Sequence, residues 1–68
     1  MHEKLGQAIR DFRKSERLSL RDLATRSGVA KSVISKLENA QGTPTLATLA
    51  RVAEALNLRL SDLLRQIE

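Results

Sequence analysis

A chain of 68 residues has room for one domain, residues 1–68, and a domain that small buries only about 60% of the surface its unfolded chain exposes. The lack of cysteine, and a single histidine at the N-terminal tip (His2), exclude disulfides, thiolate or zinc sites and histidine-based catalysis, so no metal and no cofactor is expected. The net charge of +4 suits either a polyanionic partner or a solvated surface, and without a membrane-length apolar run or a signal-peptide pattern the chain reads as cytoplasmic.

Leucine and alanine dominate the apolar residues, with one phenylalanine and few β-branched side chains, which predicts an all-α fold. Leu5, Ile9 and Phe12 fall at i, i+4 and i+7 and predict a first helix over about 3–15. Ser19 followed three residues later by Asp22 is a capping-box start for a short second helix over about 20–26, with Leu18 as a staple residue. Gly28 can take the left-handed conformation that ends this helix and turns the chain. Val29 re-enters the core, and a third helix follows over about 31–39, with Ile34 and Leu37 inward and Lys31, Ser32, Ser35 and Lys36 outward.

Residues 39–44 read as a loop, because Pro44 disfavours helix at the residue before it. Thr45 can cap a fourth helix whose inward stripe is Leu46, Leu49, Ala50, Ala53 and Leu56, ending near Asn57. Ser61 is the expected cap of a fifth helix carrying Leu63, Leu64 and Ile67.

Charge is uneven along the chain. Residues 1–36 carry nine basic and four acidic side chains, a balance of +5, whereas residues 37–68 carry three and four, a balance of −1. The basic half contains the segment LSLRDLATRSGVAKSVISKLE, residues 18–38, in which two short helices flank a turn holding Gly28. Ala24 is small where the two helices must cross, and Val29, Ile34 and Leu37 supply a shared core. That is the specification of a helix-turn-helix, whose second helix is presented to a major groove.

The segments IRDFR, LSLRDLA, SGVAKSVISKLE and PTLATLARVAEALNLRLSDLL resemble the Cro and phage-repressor type of helix-turn-helix, the XRE family, over about residues 5–64. The resemblance implies a five-helix domain of the lambda-repressor-like type and a sequence-specific transcriptional regulator on a double-stranded DNA operator. It implies that Lys31 and Ser32, with Lys36 a turn further on, reach base edges, since Lys can donate to guanine O6 and N7 and Ser can serve several bases. Val33 can touch a thymine methyl or simply pack, and the two lysines would also be ordinary on a solvated surface.

Phosphate contacts would come from the Ser19 hydroxyl, which is also a simple cap, from the amides of Leu20 and Arg21, and from the end of the third helix and the loop after it, through Ser35, Asn39 and Gln41. Two positions depart from the family. Leu20 stands where a glutamine often bridges phosphate and third helix, leaving Arg21 or Arg10 to replace that contact. Ala40 stands where glycine is frequent, with Gly42 two residues late, so a differently shaped loop is expected.

The resemblance also implies a buried ion pair of Arg13 with Glu38, rather than two independent surface charges. Leu58, Leu60, Leu64 and Ile67 are expected to leave an exposed apolar patch that pairs two copies as a homodimer, because Ala50, Val52 and Ala53 already fill the inner face of the fourth helix. The same patch would serve a toxin partner, as in an antitoxin that regulates its own promoter, or a sensor-domain partner. A restriction-modification controller and a pure protein-interaction module are further readings. No acid pair, nucleophile–base set or phosphate-cradling glycine motif supports an enzyme.

Overall fold

A computed structural model describes residues 2–67; Met1, Glu68 and the side chain of His2 lie outside the described residues. Five helices follow one another: α1 (His2–Ser15), α2 (Leu20–Ser27), α3 (Lys31–Glu38), α4 (Leu46–Ala55) and α5 (Leu60–Arg65). The first three lie within a residue of their predicted bounds, the ordinary scatter of helix ends.

Each helix sends one fully buried side chain to the centre: Ile9, Leu23, Ile34, Val52 and Leu63. Leu5, Ala8, Leu18, Val29, Leu37, Leu49, Ala53 and Leu56 complete the core, while Phe12, Leu20 and Ala24 pack against it half-buried. Helix α1 packs on α3 and α5, α2 on α3 and α4, and α4 on α5. The result is a body 27 × 22 × 20 Å in extent, in which α3 is held between α1 and α2.

The second helix starts and stops as its sequence dictates. The Asp22 N–H donates to Ser19 Oγ at 3.0 Å and the Ser19 N–H donates to Asp22 Oδ2 at 2.9 Å, a reciprocal capping box. Gly28 sits at φ 71°, and its N–H donates to the Ala24 carbonyl, which closes α2 and frees Val29 to turn inward.

Two expectations fail in the C-terminal half. The inner face of α4 is Leu49, Val52, Ala53 and Leu56, whereas Ala50 is exposed and Leu46 is 66% exposed. The buried stripe is centred one step around the helix, with Val52 in place of Ala50. Leu46 then falls to its edge and sits in the first turn, where α4 begins. Nor does Ser61 cap α5: the helix begins at Leu60 and Arg59 occupies the cap. Asp62 supplies the closing contact instead, its Oδ2 accepting the Arg59 N–H at 3.1 Å. A carboxylate three residues on can satisfy that donor, so a basic residue is tolerated at the cap.

Candidate nucleic-acid interface

Because Ile34, Leu37 and Glu38 face inward, Lys31, Ser32, Val33 and Lys36 are turned to solvent on the outer face of α3. Ser35 is half-buried on the flank. Its carbonyl accepts both the backbone N–H and the side-chain amide of Asn39, at 3.1 and 2.9 Å, which closes the helix. The four predicted base-reading residues therefore share one surface.

A network behind that surface fixes the end of α3. Glu38 is the one buried charged residue among those described. Its carboxylate takes Arg13 Nε at 2.6 Å and Arg13 Nη2 at 2.9 Å, a two-point contact. Arg13 Nη1 donates to the Leu18 carbonyl at 2.9 Å, so one guanidinium ties α1, the α1–α2 turn and α3 together. Donation to the Glu38 carboxylate, above all, raises the Arg13 pKa, and the guanidinium stays charged.

The Arg13–Glu38 contact is a three-residue arrangement rather than a pair. Arg10 Nε reaches Glu38 Oε1 at 3.3 Å, and Arg10 Nη2 donates to Asn39 Oδ1 at 3.3 Å. Arg10 and Asn39, each expected separately at phosphate, bond to each other beside the end of α3. Gly6 was missed altogether. A Cβ built on it would lie 2.5 Å from the Leu37 carbonyl oxygen and 2.9 Å from that of Glu38. Gly6, Arg10 and Arg13 stand at i, i+4 and i+7, a stripe of α1 addressed to the end of α3, and that period was the signal available in the sequence.

At the start of α2, Ser19 and Arg21 are exposed and Leu20 is half-buried against the core, so Leu20 offers only its amide. The first-turn amides of Leu20 and Arg21 have no partner within a helix. The loop after α3 places both Ala40 (φ 57°) and Gly42 (φ 73°) in the left-handed region, so the alanine adopts the glycine-like conformation itself. The exposed Gln41 donates its N–H to the Lys36 carbonyl at 2.8 Å, folding the loop back on α3.

Leu58, Leu60, Leu64 and Ile67 are half-buried and packed on the core rather than exposed. Small domains leave such rims unsealed, because α5 is only six residues long and cannot cover its own apolar side chains. Elsewhere a cleft of about 390 Å³ between the ends of α2 and α4, with Arg26, Arg51 and Glu54 on its walls, includes no residue of α3. Among the described residues no acidic or histidine cluster is grouped to hold a metal, and no helix is long and apolar enough to cross a membrane.

A helix-turn-helix family model (HTH_3) matches residues 9–63. The transcriptional regulator SinR of Bacillus licheniformis is 38% identical over 63 residues, which are 91% of this chain and 57% of that protein. The restriction-modification controller C.AhdI of Aeromonas hydrophila superposes with a TM-score of 0.88 at 31% identity, over 91% of this chain and 94% of that one. The biofilm master regulator SinR, solved in complex with DNA, superposes with a TM-score of 0.81 at 39% identity, over 88% of this chain and 97% of that one. The chain spans about half the length of the first curated relatives it matches, from 43% to 57%. The architecture is the lambda-repressor-like one, and it is that of DNA-binding regulators rather than of catalysts.

Proposed function

The chain belongs to the helix-turn-helix family, and from that membership we propose that it is a sequence-specific transcriptional regulator, repressor-like, that binds a double-stranded operator as a homodimer. The observation that carries this reading is the outer face of α3, where Lys31, Ser32, Val33 and Lys36 stand exposed on a helix anchored from behind through Glu38. Lys31 and Lys36 donate to guanine O6 and N7, and Ser32 serves an adjacent base. The Ser19 hydroxyl, the amides of Leu20 and Arg21 and the Arg21 side chain hold one phosphate, where a helix N-terminus favours an anion. Arg10, Ser35, Asn39 and Gln41 hold another beside the end of α3. Two copies meeting through Leu58, Leu60, Leu64 and Ile67 would set their recognition helices about 34 Å apart, one turn of duplex. A cytoplasmic location follows from the role.

The experiment is selection of bound DNA from a random pool, followed by titration of the variants on the selected site. Lys31→Ala and Ser32→Ala are expected to alter which base is preferred, at about 1–3 kcal/mol per lost contact. Arg21→Ala is expected to weaken all sequences alike and to flatten the slope of log K against log salt by about 0.9. Selected DNA bound no better than random DNA would overturn the proposal. A second reading, a controller of restriction-modification genes, rests on the likeness of fold and sequence to C.AhdI. A methyltransferase and nuclease pair beside the gene would support that narrower role.

A further inference from the structure

The cleft of about 390 Å³ between the ends of α2 and α4 gathers charges that the fold itself does not use. Arg26 stands in the last turn of α2, Arg51 and Glu54 stand on α4, and all three are exposed. Among the described residues the ion pairs are those of Glu38 with Arg10 and Arg13, so neither cleft arginine has a carboxylate partner. Asp22, one turn before Arg26, is engaged by the Ser19 N–H. Arg51 and Glu54 are three residues apart on one helix, a spacing at which opposite charges can meet, yet they are not paired.

The rest of the lining is fixed by its own hydrogen bonds. Asn57, left-handed at φ 60°, donates its side-chain amide to Glu16 Oε1 at 3.1 Å, which leaves its Oδ1 as an acceptor. Ser27 Oγ accepts the Val29 N–H at 3.1 Å, and Ala55 is half-buried beside it on the cleft wall.

The walls therefore present two guanidiniums, one carboxylate and one amide oxygen. A guanidinium takes a carboxylate at two points, and a carboxylate beside an amide oxygen takes an ammonium. A molecule that answers all four groups carries two carboxylates and one ammonium, the mirror of the walls. The volume is at the small end of clefts that hold small molecules. We propose that the cleft binds a small amino dicarboxylate, the chemistry of a free acidic amino acid, with one carboxylate on each arginine and the ammonium between Glu54 and Asn57. No residue of α3 lines the cleft, so this ligand and a duplex on α3 do not share a surface, and the inference stands apart from the DNA-binding reading.

Glutamate, glutarate and glutamine separate the groups, because glutarate lacks the ammonium and glutamine the second carboxylate. Each is titrated at constant ionic strength into the isotope-labelled full chain, without DNA, while the amide resonances are followed. Glutamate is expected to give saturable shifts confined to residues 26–28 and 51–57, with a Kd in the millimolar range because the walls are exposed. Glutarate and glutamine should each bind about fivefold more weakly, the weight of one exposed ion pair. Arg26→Gln and Arg51→Gln should each weaken glutamate by a similar factor, and Glu54→Gln should bind glutamate and glutarate alike. All three side chains are exposed, so the variants should keep the parent's resonances away from the cleft, which the same spectra check. Glutamate shifts that miss the cleft, or that persist undiminished in both arginine variants, would overturn the proposal. So would equal affinity for the three ligands.

Discussion

Glu38 has 3% of its side chain exposed and two arginines within reach, Arg13 at 2.6 Å and Arg10 at 3.3 Å. The arrangement is asymmetric, and that sets the order of mutational costs. Removing the carboxylate strands the Arg13 guanidinium, 12% exposed, with only the Leu18 carbonyl for a partner. Removing Arg13 leaves Glu38 still facing Arg10, which is 35% exposed and keeps much of its hydration. Glu38→Leu is therefore expected to cost about 3–5 kcal/mol, the range for a broken buried pair, and Arg13→Met clearly less. The double replacement should be milder than Glu38→Leu, because no unpaired charge is then left buried. Urea midpoints at constant m-value give the ranking, and equal single costs would show that Arg10 adds nothing. Ala40 offers the opposite case. At φ 57° an alanine is strained by about 1–2 kcal/mol, and glycine would relieve this at some cost in unfolded-chain entropy. Ala40→Gly should raise stability by up to about 1 kcal/mol, read from the same denaturation curves.

Among the elements, α2 carries its own acid sensitivity. The Asp22 carboxyl is held below the usual carboxylate range, chiefly because the Ser19 backbone N–H donates to it, with the Ser19 hydroxyl, Arg26 and Arg21 adding to the effect. A lowered folded-state pKa gives stability that is fully present above the unfolded value, about 3.9, and is lost as pH falls through the folded value. Asp22→Asn should thus flatten the fall of melting temperature below about pH 4, and an unchanged acid limb would count against the capping box. The crossing of α1 on α3 makes a second demand. With carbonyl oxygens 2.5 and 2.9 Å from where a Cβ would sit, Gly6→Ala forces the two helices apart. A cost of about 1–3 kcal/mol is expected, seen as a lower urea midpoint. These elements also show what was legible in the sequence. The capping box of Ser19 and Asp22, the Gly28 turn and the loop before Pro44 are local devices, and local chemistry decides them. The exposure of Leu46 and Ala50, Arg59 against Ser61, and Gly6 are decided by which neighbour covers a face or how near a backbone comes. Those are tertiary facts, and a period of 3.6 alone cannot rank two stripes one step apart. The same holds at the surface: a helical period places Arg26 and Arg51 outside, but the cleft they share comes from the packing of α2 on α4.

At the scale of the whole molecule, a domain of 68 residues with a radius of gyration of 10.3 Å has a thin core, and its C-terminal rim is where the shortage shows. Leu58, Leu60, Leu64 and Ile67 are partly covered by the chain's own core and partly open to solvent. Residues 37–68 have a charge balance of −1, so two such rims approach without the repulsion that the +5 of residues 1–36 would bring. Helix α5 packs on α1 and α4, so pairing through this rim would leave both α3 faces uncovered. If the rim is the homodimer surface, folding and association are linked, and the melting temperature rises with protein concentration. Sedimentation at micromolar concentration should give a mass of two chains. Leu60→Ala separates the contributions of the leucine: its loss from the monomer core lowers the melting temperature at every concentration, whereas its loss from the interface removes the concentration dependence. A variant that melts lower yet keeps the parent's concentration dependence would place Leu60 in the monomer alone. A parent that sediments as one chain, with a melting temperature independent of concentration, would mean that two copies meet only on DNA.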